Sequence, residues 1–79
     1  MTNIERYNNI FKTIFSIDDS LLNDELTVLT VEEWNSVAQM NLVAAVEHEF
    51  ELFLDPNDVV DFVSYKNGKD ILKRHGVEI

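Results

Sequence analysis

Between Ser36 and Phe50 the chain runs without a glycine or proline, and Val37, Met40, Leu42, Val43, Val46 and Phe50 recur at helical spacing, with Ala38, Ala44 and Ala45 between them. That pattern predicts a long amphipathic helix, which must lay its apolar side on a core. Leu42, Val43, Val46 and Phe50 share the side assigned to the core, whereas Val37, Met40, Ala44 and Glu47 follow one another along a second side. Trp34-Asn35-Ser36 marks the start, so Ser36 stands at the N-terminus of this helix.

The other elements are expected to assemble around it. From Asn3 to Phe15 apolar residues fall at Ile4, Tyr7, Ile10 or Phe11, Ile14 and Phe15, a three-and-four spacing that predicts helix one. Ser16 to Glu33 has no sustained period and carries Asp18, Asp19, Asn23, Asp24 and Thr30, which favour turns and caps. We read it as a long ordered loop that admits short helical turns. Its Ile17, Leu21, Leu22, Leu26, Val28, Leu29 and Val31 offer anchors to the core, as a free loop of that length is uncommon in a small domain. Asp55-Pro56 supplies a cap and a first-turn proline for a brief helix three, to about Phe62. Ser64 caps helix four over about Tyr65 to His75; Lys73, Arg74 and His75 suit its C-terminus and Gly76 ends it. The expected fold is an all-α four-helix bundle with a long loop between helices one and two and a short helix three. Its expected core is Ile4, Tyr7, Phe11, Ile14, Phe15, Leu29, Leu42, Val46, Phe50, Phe62, Ile71 and Leu72, mostly aliphatic, with a cavity able to shelter an apolar chain.

The 79 residues are enough for one small domain, 1–79, and 46% hydrophobic content with two glycines and one proline suits a folded helical chain. Fifteen acidic against six basic residues give a net charge of −9, which disfavours nucleic acid and anionic membrane as partners and favours basic protein surfaces. The absence of cysteine excludes a disulfide framework, a thiolate metal site and a cysteine nucleophile. Met1 to Ile10 is polar and includes Glu5, unlike a secretory signal, and no stretch reaches the length of a membrane span, so a cytoplasmic location is the expectation.

Ser36 has two readings. Ser36-Val37-Ala38-Gln39 fits the serine-x-x-glutamine capping box, a structural role worth about 1 kcal/mol. Alternatively, the orphan N–H groups and positive end of the helix dipole make this place hospitable to a covalently attached phosphate group. Trp34 is assigned to packing. Glu47, Glu49 and Glu51, with Glu32 and Glu33, are by themselves a solvated acidic face. Beside Val37, Met40 and Ala44, however, Glu47 completes a mixed apolar and acidic surface suited to basic patches on other proteins. Asp55, Asp58 and Asp61 lack the spacing and glycine of a calcium loop, so no metal site is expected. His48 and His75 are assigned to the surface. His48 lies roughly 18 Å of helical rise beyond Ser36, which excludes a local serine–histidine pair and with it hydrolase chemistry.

The order of helix, long loop, W-x-S at the head of the second helix, short third helix and closing fourth resembles the acyl carrier protein family over nearly all 79 residues. The segment Trp34-Asn35-Ser36-Val37-Ala38-Gln39-Met40-Asn41-Leu42 is similar to that family's aspartate-serine-leucine followed by a helix with apolar residues at matching positions. In the family the serine accepts 4′-phosphopantetheine from coenzyme A, and Ser36 is the matching residue. The resemblance therefore implies a non-catalytic phosphopantetheine-binding carrier, with acyl groups held as thioesters on the arm's thiol, as in fatty acid biosynthesis. It also implies a phosphopantetheinyl transferase and acyl-loading and acyl-using enzymes as partners, a monomeric shuttle, and docking through Asn35, Val37, Met40, Asn41, Ala44, Glu47 and His48. Two residues depart from the pattern: Asn35 replaces aspartate and Val37 replaces leucine. Asparagine caps a helix about as well as aspartate but lacks the charge associated with transferase recognition. Asn41 and His48 likewise stand where many members are acidic, which favours a dedicated partner set over general fatty-acid synthesis. An aminoacyl, peptidyl or polyketide-type carrier fits the same residues, and so, from another class, does an unmodified acidic interaction module.

Overall fold

Each of the four helices begins on a side chain that accepts a free backbone N–H. The computed structural model describes residues 1–79, with α1 at Asn3–Phe15, α2 at Ser36–Phe50, α3 at Pro56–Asp61 and α4 at Tyr65–Arg74. Thr2 caps α1 in a reciprocal box: its hydroxyl accepts from Glu5 N, and Glu5 Oε1 accepts from Thr2 N at 3.1 Å. Asp55 Oδ1 accepts from Asp58 N at 2.8 Å ahead of the first-turn proline of α3, and Ser64 Oγ accepts from Asn67 N at 2.9 Å for α4. At their other ends α1 and α2 both stop on non-glycine residues in left-handed backbone, Ser16 and Glu51, each at φ 53°. The chain is all-helical, with no strand beyond one isolated antiparallel bridge between Thr27 and Ser64.

The helices converge on a core with aromatic rings at its centre. Tyr7, Phe11, Phe15, Trp34, Phe62 and Tyr65 are all buried, joined by Ile10, Leu26, Leu42, Val43, Val46, Leu54, Ile71 and Leu72. Phe11 is the hub, with ring centroids at 5.0 Å from Tyr7, 5.4 Å from Tyr65, 5.7 Å from Trp34 and 6.4 Å from Phe62. Ile4, Ile14 and Phe50 sit half-buried around this centre. Tyr7 donates its buried hydroxyl to Tyr65 O at 2.6 Å, and burial pushes the phenol well above its ordinary pKa, so it stays a neutral donor. By count the interior is mostly aliphatic, as expected, eight residues to six aromatic ones, but the sheltered cavity expected among them is not one of the larger concavities. The sizeable concavities lie along seams at the surface, one of about 620 Å³ bordered by Arg6, Ile10, Ile14, Ala45 and Glu49.

The long loop is held by backbone pairing as well as by apolar anchors. Tyr65 N donates to Leu26 O at 2.9 Å and Val28 N donates to Val63 O at 3.0 Å, docking the loop onto the entry to α4. A short 3₁₀ turn, Asp19–Leu21, lies within the loop. Leu26 is 5% exposed, whereas Leu29, expected in the core, is 93% exposed. The cause is local. Thr27 and Thr30 close a turn, with Thr30 N donating to Thr27 O at 3.1 Å, and Leu29 stands at its outward tip.

Two polar clusters tie elements together. Arg6 lies over the Phe50 ring at 4.8 Å, pairs with Glu49 Oε2 at 2.9 Å and donates to the Glu49 carbonyl, securing the end of α2 to α1. Buried Asp58 on α3 accepts from His75 Nε2 at 2.7 Å and from Arg74 Nη2 at 3.1 Å, both at the end of α4. His75, assigned above to the surface, is exposed there and also joins α3 to α4. The hydrogen bond from His75 is the main reason the Asp58 carboxyl lies below the usual carboxylate range. No helix is long and apolar enough to cross a membrane.

Candidate functional site

Asn35, in extended backbone at φ −101° and ψ −173°, is the residue that opens α2. Its Oδ1 accepts from Ala38 N at 3.0 Å, and its carbonyl accepts from Gln39 N at 2.8 Å. Ser36 follows as the first helical residue. The capping box read from Ser36-Val37-Ala38-Gln39 is therefore corrected: the register is one residue earlier, and Asn35 does the capping. This shift leaves the exposed Ser36 hydroxyl without a hydrogen bond inside the chain. The first turn of α2 also carries no acidic residue, so the positive helix end meets no neighbouring carboxylate from its own turn.

Gln39 has a different part from the one its spacing indicated. Its Oε1 accepts from Trp34 Nε1 at 2.6 Å, while its Nε2 donates to Val59 O and Phe62 O, each at 3.0 Å. One side chain thus satisfies a buried indole and two carbonyls at the end of α3, fixing the Ser36 turn to the loop before it and to the helix beside it. The signal was present in sequence: position 39 lies on the same helical side as Leu42, Val43 and Val46, where an amide is out of place unless it is bonded. Trp34 is buried among Phe11, Phe15 and Phe62, in agreement with its assignment to packing.

Val37 and Met40 are 71% and 62% exposed, and Asn41, Ala44 and His48 are exposed along the same side. The exposed side of α2 mixes apolar Val37, Met40 and Ala44 with polar Asn41 and His48, so the helix is less amphipathic than its spacing implied. Glu47 departs from the expected docking set. It is half-buried, and its Oε2 accepts from Leu54 N at 2.9 Å, so the carboxylate holds the turn between α2 and α3. Asp55 and Asp58 are likewise engaged, as a helix cap and in the pair with His75 and Arg74.

Fold and site together define a small all-helical domain that presents an uncommitted serine at a helix start, flanked by an exposed apolar face. Comparison with known proteins found no matching family model, no matching curated protein and no matching solved structure.

Proposed function

We propose that this chain is a carrier of the acyl carrier protein type, with 4′-phosphopantetheine attached to Ser36. The observation that carries the reading is the state of Ser36: exposed, first in its helix, and relieved of capping by Asn35. An attachment site needs a hydroxyl that another enzyme can reach, and the residues here fit one. A phosphodiester at this position would lie against the free N–H groups of the first turn, with no acid in that turn to repel it. Attached there, the group supplies the thiol that a chain without cysteine lacks, and acyl groups ride on it as thioesters.

The protein's own residues position and present. Trp34 and Gln39 hold the Ser36 turn rigid, and Val37, Met40 and Ala44 offer an apolar docking face within a field of net charge −9. Acidic carriers of this size suit weak, electrostatically steered docking on basic patches, which lets a shuttle leave each enzyme quickly. The partners in this reading are a phosphopantetheinyl transferase and the enzymes that load and use the acyl group, and the domain itself is non-catalytic and monomeric. The test is incubation with coenzyme A and a broad-specificity transferase, read by intact mass. Wild type is expected to gain one phosphopantetheine and Ser36→Ala none. No gain on wild type would favour an unmodified acidic interaction module.

A further inference from the structure

Resting on the carrier reading of Ser36, we propose that the cargo is a short, polar acyl group held in solvent, and not a fatty-acyl tail folded among the helices. The interior has no slack to give. Tyr7, Phe11, Leu42, Val46, Phe62, Ile71 and Leu72 are each essentially inaccessible, and the rings meet edge to face around Phe11. Gly68 on α4 shows how tight the packing is against Tyr7 and Phe62. A single added Cβ there would overlap the Tyr7 hydroxyl oxygen and lie 2.5 Å from Phe62 Cζ and 2.7 Å from Phe62 Cε1. At this place not even one methyl fits, so a run of methylenes reaching it would have to displace the Tyr7 and Phe62 rings.

The seam beside Ser36 is also closed. Parting α2 from α3 breaks both bonds from Gln39 Nε2 to the Val59 and Phe62 carbonyls; the Val59 oxygen keeps its bond from Phe62 N, but the Phe62 oxygen is left unpaired. The surface grooves are open seams that leave a tail in contact with water: the one between α3 and α4 joins Val60, Val63 and Ile71 to Asp61, Asp70 and Arg74, and the one beside α1 joins Ile10, Ile14 and Ala45 to Arg6 and Glu49. A long tail would therefore stay in water, forfeiting the gain from every methylene, so a carrier built this way matches cargo with few of them. The net charge of −9 further favours cargo that bears a cation, as an aminoacyl group does.

The test loads wild type from acetyl, aminoacyl, hexanoyl and decanoyl coenzyme A esters with a broad-specificity transferase, checks each by intact mass, and records Tm and Trp34 emission. Burial of only two methylenes would raise Tm by roughly 6–13 °C. We expect Tm and emission to be the same across the series, with retention on a hydrophobic column rising with tail length. Phe62→Ala, which empties a ring's volume, is expected to acquire the chain-length dependence that wild type lacks. A Tm that climbs from acetyl to decanoyl on wild type overturns the proposal while leaving the carrier reading intact. Absence of any mass gain on wild type refutes the carrier reading itself, and this inference with it.

Discussion

Gly68→Ala sets two effects of opposite sign against each other. In an exposed helix interior, alanine in place of glycine stabilises by about 1 kcal/mol. Gly68 is buried on α4, however, and its missing side chain is what lets Tyr7 and Phe62 approach. Accommodating a methyl there forces ring movement at about 1–3 kcal/mol. It also displaces the Tyr7 hydroxyl from Tyr65 O, now 2.6 Å away, and a buried donor and acceptor left apart cost about 1–3 kcal/mol more. The expected net is a loss of about 3 kcal/mol, or a fall in Tm of roughly 12–24 °C for a domain of this size. Urea and thermal melts followed by circular dichroism measure it. Adding Tyr7→Phe removes one of the overlapping atoms and should recover part of the loss, so the two changes will not be additive. A Gly68→Ala protein as stable as wild type, or more so, would refute the picture of a fully packed interior.

Four further outcomes follow from named contacts. Glu51→Gly, at the left-handed end of α2 with φ 53°, is expected to raise stability by about 1 kcal/mol, seen as a higher urea midpoint. Gln39→Leu strands the Trp34 indole and the Phe62 carbonyl and removes one of two bonds to the Val59 carbonyl, and should cost about 2–3 kcal/mol with a visible change in Trp34 emission. Asp58 has a carboxyl held below its ordinary value in the folded state, so its stabilising contribution is present above the unfolded pKa and is lost as pH falls through the folded one. The Tm gap between wild type and Asp58→Asn should therefore be full near neutrality and close as pH drops below about 4. With a net charge of −9, the chain repels itself, and added sodium chloride or divalent cations should raise Tm.

Most of the helical layout was legible because caps and apolar spacing agreed. α1 and α2 occupy the segments their periodicity predicts, and Asp55-Pro56 and Ser64 open α3 and α4 as their residue types require. What spacing does not encode is depth. Leu26 and Leu29 read alike in a stretch without period, and only the pairing of Leu26 and Val28 with the entry to α4 places one inside and the other at a turn tip. Gly68 gave no sign of its packing role, since the rings that press on it come from distant parts of the chain. At the candidate site, the place of Ser36 at the helix start and the shared side of Val37 and Met40 were legible from residue type and position, but the cap register turned on which of two adjacent cap formers the backbone used. Asn35 took that role, Gln39 was released to bind Trp34 and α3, and Glu47 turned inward to Leu54.

The central claim is that the Ser36 hydroxyl is an attachment point. The most direct measurement is fragmentation mass spectrometry of the protein after exposure to coenzyme A and a transferase, locating any added group along the chain. The account predicts one phosphopantetheine, on Ser36 alone, even though Asn35 supplies no charge beside it. A group found on another serine, or none on a folded protein across transferases of differing specificity, would contradict it.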